Sequence, residues 1–186
     1  DMGAVGASSF KTSIARQFAQ LKKFGYNTIR TSHNPYSEAF LREADRQGFI
    51  VIDEFTDKWA DKSYWAGSKP FSQYWPEGIT EWIKRDRNHP CVAMWSLGNE
   101  LQMREDLCGY DTGDWGVTTY RILDVLVKRY DATRPTTVAM FPSRANGINK
   151  HDPNYSTYLV APELACATEV ASFNYCYDAY QDYLKH

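Results

Sequence analysis

Glu100 is the side chain best placed for chemistry. It closes the apolar run Val92-Ala93-Met94-Trp95-Ser96-Leu97, with only Gly98-Asn99 between. A carboxyl group at the end of such a run lies against partly apolar walls, which favour its protonated form near neutral pH. A protonated Glu can hand its proton to a leaving-group oxygen. Asn99 beside it offers both a donor and an acceptor, suited to a sugar hydroxyl. The competing roles for Glu100 are a loop cap and an ion pair with an arginine such as Arg104. Other polar groups close other runs: Arg30-Thr31-Ser32-His33-Asn34-Pro35, Asp53-Glu54 and Asn174-Tyr175. Arg30 can grip a carboxylate with two parallel donors, or form a plain salt bridge to Asp53 or Glu54 beneath a site. His33 suits a structural hydrogen bond as well as a ligand contact. Trp59, Trp65 and Trp75 fall in one aromatic stretch and can either stack on a sugar or anchor a loop.

The elements that must position these groups alternate. Ser13 to Phe24 carries Ile14, Phe18 and Leu21 at helical spacing, and Gly25 stops it. Asn27 to Thr31 reads as a short strand. Ser37 caps a second helix holding Phe40, Leu41 and Ala44, which Gly48 ends. Phe49-Ile50-Val51-Ile52 reads as a strand buried on both faces. Residues 56–76 read as a long aromatic loop, and Pro76 opens a third helix with Ile79, Trp82 and Ile83 inward. Val92 to Leu97 is the next strand, residues 101–113 a polar loop, and Asp114 to Tyr130 a fourth helix. Thr136 to Met140 is strand-like, residues 141–169 irregular, and Ala171 to Tyr175 a last strand. Such alternation predicts an α/β fold with a parallel sheet. An open doubly wound sheet and a (β/α)₈ barrel both fit, and in either the C-terminal strand ends surround the site. Polar groups close four of the five strands, which gathers them at one rim.

The composition narrows the function classes. The 186 residues carry 21 Lys plus Arg against 23 Asp plus Glu, a formal charge of −2, without the basic excess of a nucleic-acid binder. No run approaches a membrane-spanning length, and no leader pattern is read at the start. No G-x-G-x-x-G or G-x-x-x-x-G-K-[ST] phosphate cradle occurs. Cys91, Cys108, Cys166 and Cys176 form no C-x-x-C pair or zinc spacing and read as unpaired thiols. Asn154-Tyr155-Ser156 matches the N-glycosylation triplet.

Three segments resemble the catalytic barrel of glycoside hydrolase family 2. Asn27-Thr28-Ile29-Arg30-Thr31-Ser32-His33-Asn34-Pro35 resembles the family's second-strand motif, and Gly48-Phe49-Ile50-Val51-Ile52-Asp53-Glu54 its third strand. Arg85 through Glu100 (Arg-Asp-Arg-Asn-His-Pro-Cys-Val-Ala-Met-Trp-Ser-Leu-Gly-Asn-Glu) is similar to the acid/base signature almost throughout. Asp1 to Ala7 resembles the segment after the first strand in a β-galactosidase-like subgroup, without the histidines that usually precede it.

The resemblance implies a partial (β/α)₈ TIM barrel, about five of eight strands, with residues 1–186 forming one domain that is a fragment of the catalytic barrel. A complete barrel takes roughly 250 residues. It implies that Glu100 is the general acid/base, Asn99 the ligand of the sugar 2-hydroxyl, His33 a substrate contact, and Arg30 and Tyr175 supports for the nucleophile. The implied reaction is retaining hydrolysis of a β-glycoside, most readily a β-galactoside, with the carboxyl groups about 5–5.5 Å apart. The nucleophilic Glu has no candidate in the sequence, since Glu163 and Glu169 precede the last strand. The expected partners are a carbohydrate and the remaining domains of a parent chain, with neither nucleic acid nor membrane. The chemistry calls for no cofactor and no metal. The isolated chain is expected to be inactive. The alternatives are a β-glucuronidase, a β-mannosidase, and a non-catalytic sugar-binding or scaffold module of the same fold.

Overall fold

The computed structural model describes residues 8, 10–60, 69–101, 108–141 and 163–175. Ten elements follow in the order α1 (Lys11–Lys23), β1 (Thr28–Arg30), α2 (Glu38–Gln47), β2 (Ile50–Glu54), α3 (Phe71–Asp86), β3 (Val92–Asn99), α4 (Val117–Tyr130), β4 (Thr136–Met140), α5 (Glu163–Ala167) and β5 (Val170–Phe173). The five strands are parallel and lie in sequence order, β1-β2-β3-β4-β5. The sheet curls into a half-barrel with helices outside, the architecture of a partial TIM barrel. Among the described residues, no helix is long and apolar enough to cross a membrane.

Local chemistry accounts for the boundaries. Ser37 Oγ accepts the Phe40 N–H at 3.3 Å, satisfying an orphan donor of α2. Gly48 closes that helix in the left-handed region, at φ 73°. Ile14 and Phe18 of α1 and Phe40, Leu41 and Ala44 of α2 are buried. Phe18 meets the rings of Phe40 and Phe49 at 4.8 and 4.9 Å. Along each strand, side chains alternate between the two faces of the sheet. Val51, Asp53 and Trp95 therefore face the helices, and Arg30, Glu54 and Ser96 share the opposite, barrel-interior face.

The third helix differs from the sequence reading. It begins at Phe71, with Pro76 inside it. A proline at this position forfeits one backbone hydrogen bond. The turn ahead of it is nevertheless fixed by tertiary contacts. Phe71 N–H reaches Ala60 O at 3.2 Å, and the Phe71 ring stacks on Trp59 at 6.1 Å. Trp75 accordingly lies on a helix rather than in a loop. Asp53 and Glu54 are the last residues of β2 rather than its sequel, and Ile50 is exposed at 46%. The short α5 occupies part of the stretch read as irregular. Trp65, Arg104, Asn154-Tyr155-Ser156, Cys176 and the Asp1–Ala7 segment lie outside the described residues.

Candidate active site

The register between β3 and β4 breaks where the chemistry begins. Ser96 pairs with Thr137 and Asn99 with Ala139, so three residue steps on β3 oppose two on β4. The extra residue forms a bulge, which turns the strand end and re-aims its side chains. Leu97 O, at the bulge, accepts from Trp59 Nε1 at 2.8 Å. Gly98 is required here for space, because a Cβ would stand 2.8 Å from that same indole nitrogen. Beyond the bulge, Asn99 N–H donates to Asp57 O at 2.7 Å and Glu100 N–H to Ala139 O at 2.6 Å. Glu100 has φ 50° and Tyr175 φ 60°, the left-handed region that non-glycine residues seldom enter. These two residues follow β3 and β5, the strands on either side of β4.

A polar network floors this mouth. Glu54 is fully buried. Its carboxylate receives Arg30 Nε at 2.7 Å and Nη2 at 3.1 Å, a two-pronged grip, and Ser96 Oγ at 2.7 Å. His33 Nδ1 lies 2.6 Å from Glu54 Oε1. Arg30 Nη2 lies 3.4 Å from the same ring nitrogen, so His33, Glu54 and Arg30 form one cluster. The half-exposed ring is thereby held against Glu54.

Asn99 is held from three sides. Its Oδ1 accepts from Arg30 Nη2 at 2.7 Å and Asn174 Nδ2 at 2.8 Å, and its Nδ2 donates to Asp57 Oδ1 at 2.9 Å. These partners fix which way the amide points. Asp57 is also paired with the buried Lys58. Asn174 Nδ2 reaches Glu100 Oε1 at 3.2 Å, and Arg30 Nη1 reaches Asn174 Oδ1 at 3.3 Å. The Tyr175 hydroxyl is raised above its ordinary pKa, first by its hydrogen bond with Glu100 and then by the charge of that carboxylate. Tyr175 is 67% exposed and its ring meets Phe141 at 5.9 Å.

The structure thus brings Arg30, His33, Asn99, Glu100 and Tyr175 to one mouth. Trp59 is the exception. Its ring is wholly buried beneath Gly98 and stacked on Phe71, so it offers no face to a sugar and acts as a loop anchor. Arg30 pairs with Glu54, one of the two acids considered for it, while Asp53 points the other way, to Thr31 and Trp82. The sequence places Asn174-Tyr175 at the rim without a role for the Asn174 amide, and Asp57 and Ser96 are further parts of the site that it does not single out. The Asn174 position at a strand end was the available signal, whereas nothing in the spacing marked Asp57. Glu169 sits at the far end of the sheet, accepting the Thr136 N–H at 2.7 Å and pairing with Lys128.

One group of possible metal ligands stands apart from the mouth. Ligand atoms of Asp45, His89 and Cys91 lie within 4.8 Å of one another near the start of β3. Both Asp45 oxygens are already used, by the Cys91 N–H at 2.8 Å and His89 Nδ1. Burial pushes the Cys91 thiol up, away from the thiolate a metal needs. The cluster reads as a polar lock between α2 and β3.

Comparison with known proteins adds a family context. The family described as "Glycosyl hydrolases family 2, TIM barrel domain" matches residues 5–165. The chain is 43% identical over 102 residues to "Beta-galactosidase BoGH2A" of Bacteroides ovatus, covering 54% of this chain and 12% of that protein. It is 31% identical over 172 residues to "Beta-glucuronidase" of Felis catus, covering 91% of this chain and 22% of that one. A solved glycosyl hydrolase family 2 member from Bacteroides cellulosilyticus matches with TM-score 0.76 at 32% identity, over 100% of this chain and 22% of its own. The Ruminococcus gnavus β-glucuronidase in complex with a C6-substituted uronic isofagomine matches with TM-score 0.61 at 29% identity, over 75% of this chain and 23% of that chain. The chain therefore spans less than a quarter of the length of each of these proteins.

Proposed function

The chain belongs to glycosyl hydrolase family 2, and from that premise we propose that it carries the acid/base half of a retaining β-glycosidase site. Glu100 protonates the departing oxygen while a second carboxylate attacks the anomeric carbon. It then takes a proton from the water that hydrolyses the glycosyl-enzyme. Asn99 donates its second amide N–H to the sugar 2-hydroxyl. His33 meets the sugar through Nε2. Arg30 holds the floor of the site through Glu54 and Asn99, and Tyr175 shares a hydrogen bond with Glu100. We assign the attacking carboxylate to the parent protein outside these residues. The observation that carries this reading is the Glu100 carboxylate at the end of β3, in contact with Asn174 and Tyr175.

The substrate we favour is a β-galactoside. The relative named a β-galactosidase supports it, and so does the charge of the rim. Among the described residues, Arg30 is engaged by Glu54 and Lys58 by Asp57, which suits a neutral sugar better than a uronate. A β-glucuronide is the second reading, motivated by the relatives named β-glucuronidases. Turnover of a panel of nitrophenyl β-glycosides by the full-length protein separates the two.

The acid role has its own test. In the full-length protein, Glu100→Ala should slow substrates with poor leaving groups by about 10²–10⁴-fold, the usual worth of a general acid. Glycosylation from an activated dinitrophenyl leaving group should be slowed far less, because that group departs without protonation. Equal slowing of both removes Glu100 from the acid role.

A further inference from the structure

A second pair of carboxyl groups lies under the mouth, on the helix side of the sheet. Asp53 of β2 and Asp86 of α3 are both fully buried. They hydrogen-bond to each other. Two ionised carboxylates can only accept, so that bond requires a proton between them. Arg85 grips both oxygens of Asp86, at 2.6 Å each. That guanidinium places one positive charge beside the pair, while burial favours the protonated form of Asp53.

The pair is tied to both ends of the loop bearing His33. At one end, Thr31 Oγ1 donates to Asp53 Oδ1 at 3.0 Å and accepts the Glu54 N–H at 2.7 Å. At the other, Arg85 Nη2 donates to Tyr36 O at 2.8 Å. Trp82 Nε1 donates to Asp53 Oδ2 at 2.7 Å, which holds α3 against β2. His33 thus sits midway along a loop clamped at Thr31 and Tyr36 by one buried assembly.

We infer that Asp53, Asp86 and Arg85 are positioning residues for His33, and that they hold residues 31–36 in place only while a proton lies between the two carboxyl groups. The inference rests on the reading of His33 as a sugar contact. With the proton gone, two buried anions share a single guanidinium. Their repulsion moves the end of α3 from β2, and Arg85 with its grip on Tyr36 moves too. The groups facing Asp53 are Asp86, Arg85 and Trp82 from α3, Thr31 from the loop after β1, and Cys91 from the start of β3. Glu38 of α2 acts on Arg85, and Asp45 on Cys91. Burial, then the charge of Asp86, pushes Asp53 up to about 7, which puts loss of the proton in the range where such an enzyme is assayed.

The test uses the full-length glycosidase that carries this chain. Asp53→Asn no longer titrates: its one oxygen can keep the Trp82 N–H, and its amide N–H groups can donate to Asp86 and to Thr31 Oγ1. For the parent protein, KM for a nitrophenyl β-glycoside should rise by about tenfold per pH unit above the midpoint, the slope of a single proton. For Asp53→Asn, KM should vary less than about twofold over the same range. The indole N–H resonance of Trp82 gives a reading independent of activity. It should shift with a midpoint near neutral pH in the parent and stay fixed in Asp53→Asn. Superimposable KM profiles, or an indole resonance unmoved between pH 5 and 9, overturn the inference. His33→Ala separates it from its premise. An unchanged KM in His33→Ala overturns the sugar-contact role of His33. A raised KM there, with superimposable Asp53→Asn and parent profiles, overturns the positioning role alone.

Discussion

At the scale of single residues, the rim works by leaving few orientations open. Asn99 has its carbonyl oxygen bound twice and its nitrogen once, so the remaining N–H has one direction. His33 has one ring nitrogen, Nδ1, held by Glu54 at 2.6 Å. Gly98 allows the indole of Trp59 to lie against the strand just before these groups. Gly98→Ala would place a Cβ 2.8 Å from Nε1 and 3.1 Å from Cε2 of a ring that is fully buried and backed by Phe71. The indole has nowhere to retreat. Such overpacking costs about 1–3 kcal/mol, a fall of several degrees in Tm for a domain of this size. It also drives the indole off Leu97 O, so Asn99 and Glu100 should shift and kcat should fall more than KM rises. A Gly98→Ala protein with parental Tm and kcat contradicts this account of the bulge.

At the scale of elements, the joints between helices and strands carry charged groups held by hydrogen bonds. Asp45, near the end of α2, bonds the Cys91 N–H and His89 just before β3. Burial by itself would raise the Asp45 pKa, but the bonds from Cys91 and His89 outweigh it and the result is lowered. A carboxyl with a depressed folded-state pKa contributes stability above its unfolded value, near 4, and that contribution fades as pH falls through the folded one. Asp45→Asn should therefore lower Tm at pH 7 but little at pH 3, and equal losses at both refute the lock. This joint also shows what the sequence made legible. Ser37, Gly48 and the helical spacing of Phe40, Leu41 and Ala44 place α2 from local rules alone. The start of α3 was illegible because Pro76 is a start signal by local rules, whereas the contacts of Phe71 with Ala60 and Trp59 join distant residues. For the same reason Asn99 and Glu100 were readable from their place after an apolar run, while Asp57 and the buried Trp59 were not. Both are positioned by β3, about forty residues further along the chain.

At the scale of the whole molecule, the curled sheet separates two uses of acidic groups. Those facing the helices, Asp53 and Asp86, hold elements together, and those facing the barrel interior line the mouth. Retaining hydrolysis needs two carboxyl groups about 5–5.5 Å apart, one of them free to attack carbon. Among the described residues of the mouth, Glu54 and Asp57 accompany Glu100. Glu54 is fully buried with its oxygens engaged by Arg30, His33 and Ser96. Asp57 is bound by Lys58 and Asn99. Glu54 has both oxygens directed at protein donors and lies buried beneath the mouth, and Asp57 shares Oδ1 between Lys58 and Asn99. With the attacking carboxylate assigned to the parent protein, the 186-residue chain on its own should show no turnover of nitrophenyl β-galactoside above the buffer rate. The parent protein should turn it over, and only there should Glu100→Ala lower a measurable activity. Turnover by the isolated chain that disappears in Glu100→Ala would mean that a carboxylate within these residues attacks the sugar, with Glu54→Gln and Asp57→Asn the next variants to assay.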